Sequence, residues 1–134
     1  MSYSIYLLRF VEGEVVALDI EQFRQATAPY VVEGTQEEGF SQLRAEDGGE
    51  ADLYHAFHGE EGMSCVTATH FARGAMSGVL ARLAAALGAS VVPQDGEPLI
   101  LHEDDRRHLP ADLQGRASVI VPTAEAFEAV INGT

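Results

Sequence analysis

Hydrophobic and polar positions divide the chain into short segments with the periodicity of strands or helices. Residues 3–11 are almost continuously apolar and aromatic, which predicts a strand covered on both faces. Residues 40–46, 51–58 and 63–71 form three further runs, separated by polar turns that contain glycine. Because glycine suits the positive φ angles of a tight turn, these runs predict a three-stranded antiparallel meander.

Apolar residues at helical spacing over residues 74–87 predict a largely buried helix, with Gly88 as its C-cap. Asp19 begins a capping-box pattern that predicts a short helix ended by Pro29. Thr123 is placed to cap a closing helix.

Short apolar segments at residues 90–92, 99–101 and 117–121 predict three more strands, with a charged loop at 102–108. The predicted order is β-α-β-β-β-α-β-β-β-α. We therefore expect one α+β domain over residues 1–134, with a mainly antiparallel sheet and about three helices on one of its faces.

The charge balance changes the picture of what the chain binds. It has 21 acidic and eight basic residues, all eight of them arginine, and a formal net charge of −13. This charge argues against generic binding of nucleic acid or anionic membranes and favours a basic protein partner or simple solubility. The single cysteine, Cys65, and the lack of a signal peptide or long apolar run predict a cytoplasmic protein.

The acidic residues are concentrated in one stretch of the chain. Residues 33–61 carry a net charge of −8, whereas residues 62–94 contain no acid. We expect the two hairpin turns in the acidic stretch to gather at adjoining edges of the sheet. The predicted partner-binding residues are Glu46, Asp47, Glu50, Glu60 and Glu61. Ordinary solvated turns would account for the same pattern.

A second candidate site follows from the expected pairing of the meander. If both turns pair as written, Arg44, His55 and His70 share one face of the sheet. An arginine with two histidines suits the binding of a carboxylate or phosphate, with histidine as acid or base. The alternative is that these histidines are packed or bonded for structural reasons. Neither predicted face is cleanly apolar, so either the register differs from this pairing or part of one face lines a polar cavity or an interface.

Two further groups have the residue types of a reactive site but no known spacing. Cys65, His58 and Asp52 correspond to a nucleophile, a base and an orienting group, although a lone cysteine on a strand is more often a small apolar residue. The charged loop contains possible metal ligands, namely His102, Asp104, Asp105 and His108. His55 and His58 are a poor chelating pair, because that spacing on a strand points the two rings to opposite faces. No metal site is predicted.

The start of the long helix is a candidate site for an anionic cofactor. Gly74 and Gly78 follow Arg73, and helix N-termini bind phosphate. The segment lacks the spacing of known phosphate-binding loops, and Met76 interrupts its likeness to the acyl-CoA turn of N-acetyltransferases. No cofactor is predicted.

Three stretches together carry a resemblance: residues 47–52 (DGGEAD), the helix over 74–87, and residues 108–113 (HLPADL). They resemble small acidic bacterial proteins, some of which are immunity-type partners of toxins. The resemblance implies protein binding and assigns no catalytic residue.

The leading hypothesis is a non-enzymatic, acidic protein-binding module with an immunity or adaptor function. The alternative is a small-molecule-binding protein or small enzyme that uses Arg44, His55 and His70. Mimicry of nucleic acid by the carboxylates is a third hypothesis. A second copy of the chain could also cover the mixed sheet face, because twofold dimers are common.

Overall fold

The computed structural model describes residues 4–32, 39–57, 63–72, 74–94 and 96–130. Its strands are β1 (Ser4–Val11), β2 (Glu14–Val16), β3 (Phe40–Arg44), β4 (Glu50–Phe57), β5 (Met63–Thr69), β6 (Ser90–Pro93), β7 (Leu99–Ile100) and β8 (Ser118–Val119). Its α-helices are α1 (Ile20–Thr27), α2 (Ala75–Leu87), α3 (Ala111–Gln114) and α4 (Ala124–Val130), and a 3₁₀ helix spans Glu103–His108.

The strands form one sheet with the order β3-β4-β5-β1-β6-β7-β8, and β2 pairs with β1. Every pair is antiparallel except β7 with β8. The predicted α+β class and mainly antiparallel sheet are therefore confirmed, as is the meander β3-β4-β5. The predicted element order is only partly correct, because β2, the 3₁₀ helix and α3 add to it.

The segment predicted as a charged loop is a 3₁₀ helix that is bonded to its surroundings. The carbonyl of His108 accepts from Gly13 N at 2.8 Å, and His108 Nδ1 accepts from Glu12 N at 3.2 Å. Arg106 Nη1 donates to the carbonyls of Gln114 and Ala117 at 2.6 and 2.8 Å. These bonds tie the segment to the β1–β2 turn and to the end of α3.

The helix ends form as their sequences predict. Asp19 Oδ1 accepts from the backbone of the first turn of α1 at 3.0 Å, and Thr123 Oγ1 accepts from Ala126 N at 3.2 Å. Gly88 ends α2 in the left-handed conformation, with φ of 63°.

The main core lies between one face of the sheet, here called the inner face, and the helices α1, α2 and α4. It joins Ile5, Leu7 and Leu53 to Leu80 and Phe127, all at most 2% exposed. A smaller cluster lies on the opposite, outer face, where the 3₁₀ helix and α3 cover part of β1 and β7. Its members are Ile100, Leu109, Ala117, Phe10 and Leu113.

The pairing of β3 with β4 differs from the prediction. A turn over residues 47–50 would pair Arg44 with Leu53, but Arg44 pairs with Glu50 and Leu43 with Ala51, so each β3 residue meets a partner three positions earlier in β4. The turn between the strands is 45–49, one residue longer than expected. Because side chains alternate along a strand, this shift exchanges the two faces of β3. Ser41 and Leu43 therefore point inward with Leu53, while Arg44 points outward. The predicted pairing of β4 with β5 around His55 is confirmed by the pair of His55 with Val66.

Candidate functional site

The outer face carries a row of side chains that crosses five strands in register. Phe40 pairs with Tyr54, Tyr54 with Thr67, Thr67 with Tyr6, and Tyr6 with Val92. Five strands at about 4.8 Å spacing make this row about 19 Å long. We call these five residues the outer row.

The outer row is accessible in this structure. Tyr54 is 49% exposed, and the other four members are partly exposed. The rings of Phe40 and Tyr54 have centroids 5.1 Å apart in a tilted contact, so they form one aromatic surface at the edge of the sheet. In the described ranges, the helices that cross the outer face cover only its β7 side, around Phe10 and Ile100.

Beside the outer row, two carboxylates each have a basic side chain as partner. Arg44 Nη2 donates to Glu50 Oε2 at 2.8 Å, and His70 Nδ1 lies 3.1 Å from Asp52 Oδ2. Glu50 and Asp52 alternate with buried residues of β4, which places both carboxylates on the outer face. The face therefore combines an apolar row with a polar border, which is the composition of many protein interfaces.

The acidic residues of the first hairpin turn point in different directions. Asp47 Oδ1 accepts from Gly49 N at 2.9 Å, and its Oδ2 accepts from Ala75 N at 3.1 Å, at the start of α2. These two bonds lower the pKa of Asp47 below its ordinary value. Glu46 lies on the helix side, where it borders a cleft with α2. Of the three predicted partner-binding acids that the structure describes, Asp47 thus has a structural role, Glu46 lies on the helix side, and Glu50 faces outward.

The expected gathering of both acidic turns at adjoining edges is wrong. The first turn joins β3 to β4 next to Glu50, whereas Phe57 and Met63 border the second turn at the other end of β4. Seven residue steps along β4 separate these ends by about 23 Å. Glu60 and Glu61 themselves lie outside the described residues.

Arg44, His55 and His70 do not come together. His55 is 4% exposed on the inner face, where its Nε2 lies 2.9 Å from Ser41 Oγ. The centroid of its ring lies 4.7 Å from that of the Phe23 ring. Burial lowers the pKa of His55, because the charged ring loses solvation. Arg44 is on the outer face, and His70 follows β5 with φ of 51° and an exposed ring. The changed pairing of β3 and the position of His70 beyond the end of β5 separate them.

Two members of the cysteine-centred group, Cys65 and Asp52, lie in the described structure, and neither has the environment of a reactive site. Burial raises the pKa of the Cys65 thiol, which opposes formation of the reactive thiolate. Asp52 bonds to His70 instead, and His58 lies outside the described residues.

The charged segment and the start of α2 do not form the ligand sites that their sequences suggested. Within the described ranges, no group of three or more His, Cys, Asp or Glu side chains could hold a metal ion. At α2, Gly74 N donates to Glu128 Oε1 while Ala75 N donates to Asp47. Two carboxylates of the protein thus occupy the helix N-terminus considered for a phosphate.

Sequence reasoning missed the outer row because no single segment shows it. Tyr6 lies in a run that reads as buried on both faces, while Phe40 and Tyr54 belong to a different part of the chain. Only the cross-strand register places them side by side.

Comparison with models of protein families, with curated proteins and with solved structures gives no match. Among the described residues, no helix is long and apolar enough to cross a membrane.

Proposed function

We propose that the protein is a non-enzymatic binding module that docks a basic protein partner on its outer sheet face. The observation that carries this proposal is the outer row, an accessible line of three aromatic side chains, a valine and a threonine across five strands. Tyrosine and phenylalanine are enriched where protein partners meet, because they bury much area at little entropic cost.

The sequence of β1 supports the binding of a partner over the outer face. Its apolar run has the composition of a strand that is buried on both faces. The helices of the chain cover the inner side, around Ile5 and Leu7, but Tyr6 and Leu8 on the outer side are only partly buried. A bound partner would provide the second cover.

Charge selects the kind of partner. At a net charge of −13, two copies of this chain repel each other, whereas a basic protein is attracted and steered toward the surface. At the border, Arg44 pairs with Glu50 and the His70 ring contacts Asp52, so an apolar contact can form there without burying a carboxylate that has no partner. An immunity or adaptor protein is the most concrete form of this function.

The test compares two neutral substitutions at exposed positions. Tyr54→Ser removes a ring of the outer row, and Val121→Ser is its matched control, since Val121 is 60% exposed and lies outside the row. Tagged wild type and both variants are used to capture partners from native lysate, and the captured protein is then purified and titrated by calorimetry. We expect Tyr54→Ser to weaken binding at least about tenfold, as for an interface aromatic, and Val121→Ser to leave it unchanged.

A second experiment tests the contribution of the predicted acids to binding and to its salt dependence. Changing Glu46, Glu50, Glu60 and Glu61 to Gln, with Asp47 left intact as the cap of α2, is expected to slow association and reduce its salt dependence. If the partner binds Tyr54→Ser as tightly as the wild type, the outer face is not the docking surface. If sedimentation instead shows a salt-insensitive dimer of this chain that Tyr54→Ser dissociates, the occupant is a second copy and the basic partner is wrong.

The alternative function, a ligand site built from Arg44, His55 and His70, has little support. His55 is buried on the inner face and the other two side chains are exposed elsewhere. A shared ligand would have to reach both sides of the sheet.

A further inference from the structure

A separate cleft lies on the helix side, between α2, the end of α1 and the first hairpin turn. It has a volume of about 290 Å³. Three polar side chains border it: Tyr30, Glu46 and Arg82. The rest of its lining is small and apolar, from Ala45, Ala75, Val79 and Ala124. A few polar groups over an apolar floor is the usual composition of a small-ligand site.

Arg82 and Tyr30 form a set of hydrogen-bond donors at one side of this cleft. Arg82 Nη2 donates to Tyr30 Oη at 3.1 Å, so the phenol accepts from the guanidinium and keeps its own hydrogen for another acceptor. No ion pair of Arg82 is found among the residues that the structure describes. A carboxylate is the group that matches a guanidinium and a phenol O–H together.

Gly78 leaves room for the guanidinium beside α2. A Cβ atom at Gly78 would lie 3.3 Å from Arg82 Nη1 and 3.4 Å from the Cβ of Ala124. The Arg82 side chain therefore lies over the backbone of Gly78, with its guanidinium at the cleft.

Glu46 supplies the opposite charge in the same cleft. Within the described ranges, its carboxylate makes no hydrogen bond or ion pair with another side chain, in contrast to Glu50, which bonds to Arg44. Tyr30, Ala45 and Glu46 also border a wider, open groove of about 560 Å³ that continues to Pro29 and Val32. A ligand held in the cleft therefore has space to extend on the Glu46 side.

We propose that this cleft binds a small zwitterion, an aliphatic amino acid or a related compound, with its carboxylate on Arg82 and Tyr30 and its ammonium on Glu46. The apolar floor receives the aliphatic part. The site is on the opposite side of the sheet from the outer row, so it does not depend on the proposed partner surface. It is a binding site, and no bond-making step is assigned to it.

The probes separate the two charges of the ligand. L-leucine carries both charges, N-acetyl-leucine only the carboxylate, and leucinamide only the ammonium. 6-Aminohexanoate carries both charges at a larger separation and thus reports their spacing in the site. Each is titrated into the ¹⁵N-labelled full chain, and the amide shifts of Ala45, Glu46, Gly78 and Arg82 are followed. We expect saturable shifts there with a Kd of about 1 mM or tighter for at least one zwitterion, and binding about tenfold weaker for both singly charged compounds.

Matched variants assign the two charges. Arg82→Gln is expected to abolish the preference for leucine over leucinamide, and Glu46→Gln the preference for leucine over N-acetyl-leucine. Arg107→Gln and Glu14→Gln, at exposed positions away from the cleft, serve as controls and are expected to bind as the wild type does. The proposal is overturned if neither zwitterion gives saturable shifts at the cleft by about 10 mM, ten times the expected Kd, or if the cleft variants bind as the controls do. Loss of partner binding in Tyr54→Ser with intact leucine binding would show that the two sites are separate.

Discussion

The hydrogen bond between Ser41 and the buried ring of His55 stabilises the fold, and Ser41→Ala measures its contribution. The variant removes the hydroxyl that lies 2.9 Å from His55 Nε2 and leaves a nearly buried imidazole nitrogen without that partner. Loss of one partner of a buried hydrogen bond costs about 1–3 kcal/mol, because the other partner keeps its desolvation penalty. For a chain of this length that corresponds to a decrease in Tm of about 4–12 °C.

The assay is urea unfolding followed by circular dichroism, with Ser41→Ala, His55→Leu and the double variant compared at pH 7.5. We expect the double variant to be less destabilised than the sum of the two single changes, because an apolar pair needs no hydrogen bond. Unchanged m-values would show that the variants differ in stability and not in the extent of unfolding.

The pH dependence of stability provides an independent measurement on the same residue. Burial lowers the pKa of His55 in the folded state, so below the unfolded value of about 6.5 the unfolded chain binds more protons than the folded one. The contribution of neutral His55 is therefore fully present above that pH and decreases as the pH falls toward the folded pKa. We expect the free energy of unfolding to fall less between pH 7.5 and 5 in His55→Leu than in the wild type. The reasoning is refuted if Ser41→Ala lies within about 0.3 kcal/mol of the wild type, the ordinary error of additivity, and His55→Leu leaves the pH dependence unchanged.

Three further predictions concern other parts of the fold. Asp47→Asn should reduce the decrease in Tm between pH 5 and 3, because two backbone N–H groups hold the pKa of the Asp47 carboxyl low and its contribution to stability is lost as the pH falls through the folded pKa. Glu46→Gln is the control, since Glu46 has no such bonds in the described structure. An equal decrease in Tm for both variants would contradict the role of Asp47 at the start of α2. Cys65 should react with Ellman's reagent at pH 8 more slowly than a free cysteine peptide, since burial raises the pKa of its thiol, and equal rates would disprove that effect. Leu80→Ala should lower the free energy of unfolding by about 2–5 kcal/mol, against a change within about 0.5 kcal/mol for Val121→Ala, and a small loss at Leu80 would mean that the core closes around the gap.

Local sequence signals predicted the elements whose causes are local. Asp19, Thr123 and Gly88 act through bonds to neighbouring residues or through their own backbone angles, so each was visible in a few positions of the chain. The apolar spacing of α2 and the glycine turns of the meander belong to the same class.

Features that depend on pairing between distant segments were not predictable in this way. A difference of one residue in the first turn exchanged the faces of β3, and with them the neighbours of Arg44 and His55. With the observed register, the inner face of the meander is apolar apart from the bonded pair Ser41 and His55. The mixed faces expected from the sequence resulted from that displacement and from the irregularity between His55 and Phe57, which pairs Phe57 with the buried Met63.

The cleft illustrates the same limit for the candidate sites. Tyr30, Glu46 and Arg82 come from three separate segments, and none belongs to a motif. The net charge of the acidic stretch was visible in the sequence, but the directions of its side chains were not. Asp47 bonds to α2, while Glu50 of β4 pairs with Arg44 of β3.

The central position of β1 has a consequence for how the chain is made. This strand precedes both of its neighbours in the sheet order, β5 and β6, and β6 ends at Pro93. Only β2 is available to pair with it early. At ribosomal rates of about 5–20 residues per second, the apolar strand waits about 4–16 seconds for its last partner. During that interval its backbone edges and its aromatic residues are open to other chains, so a chaperone that binds extended apolar segments would protect the nascent protein at this strand above all.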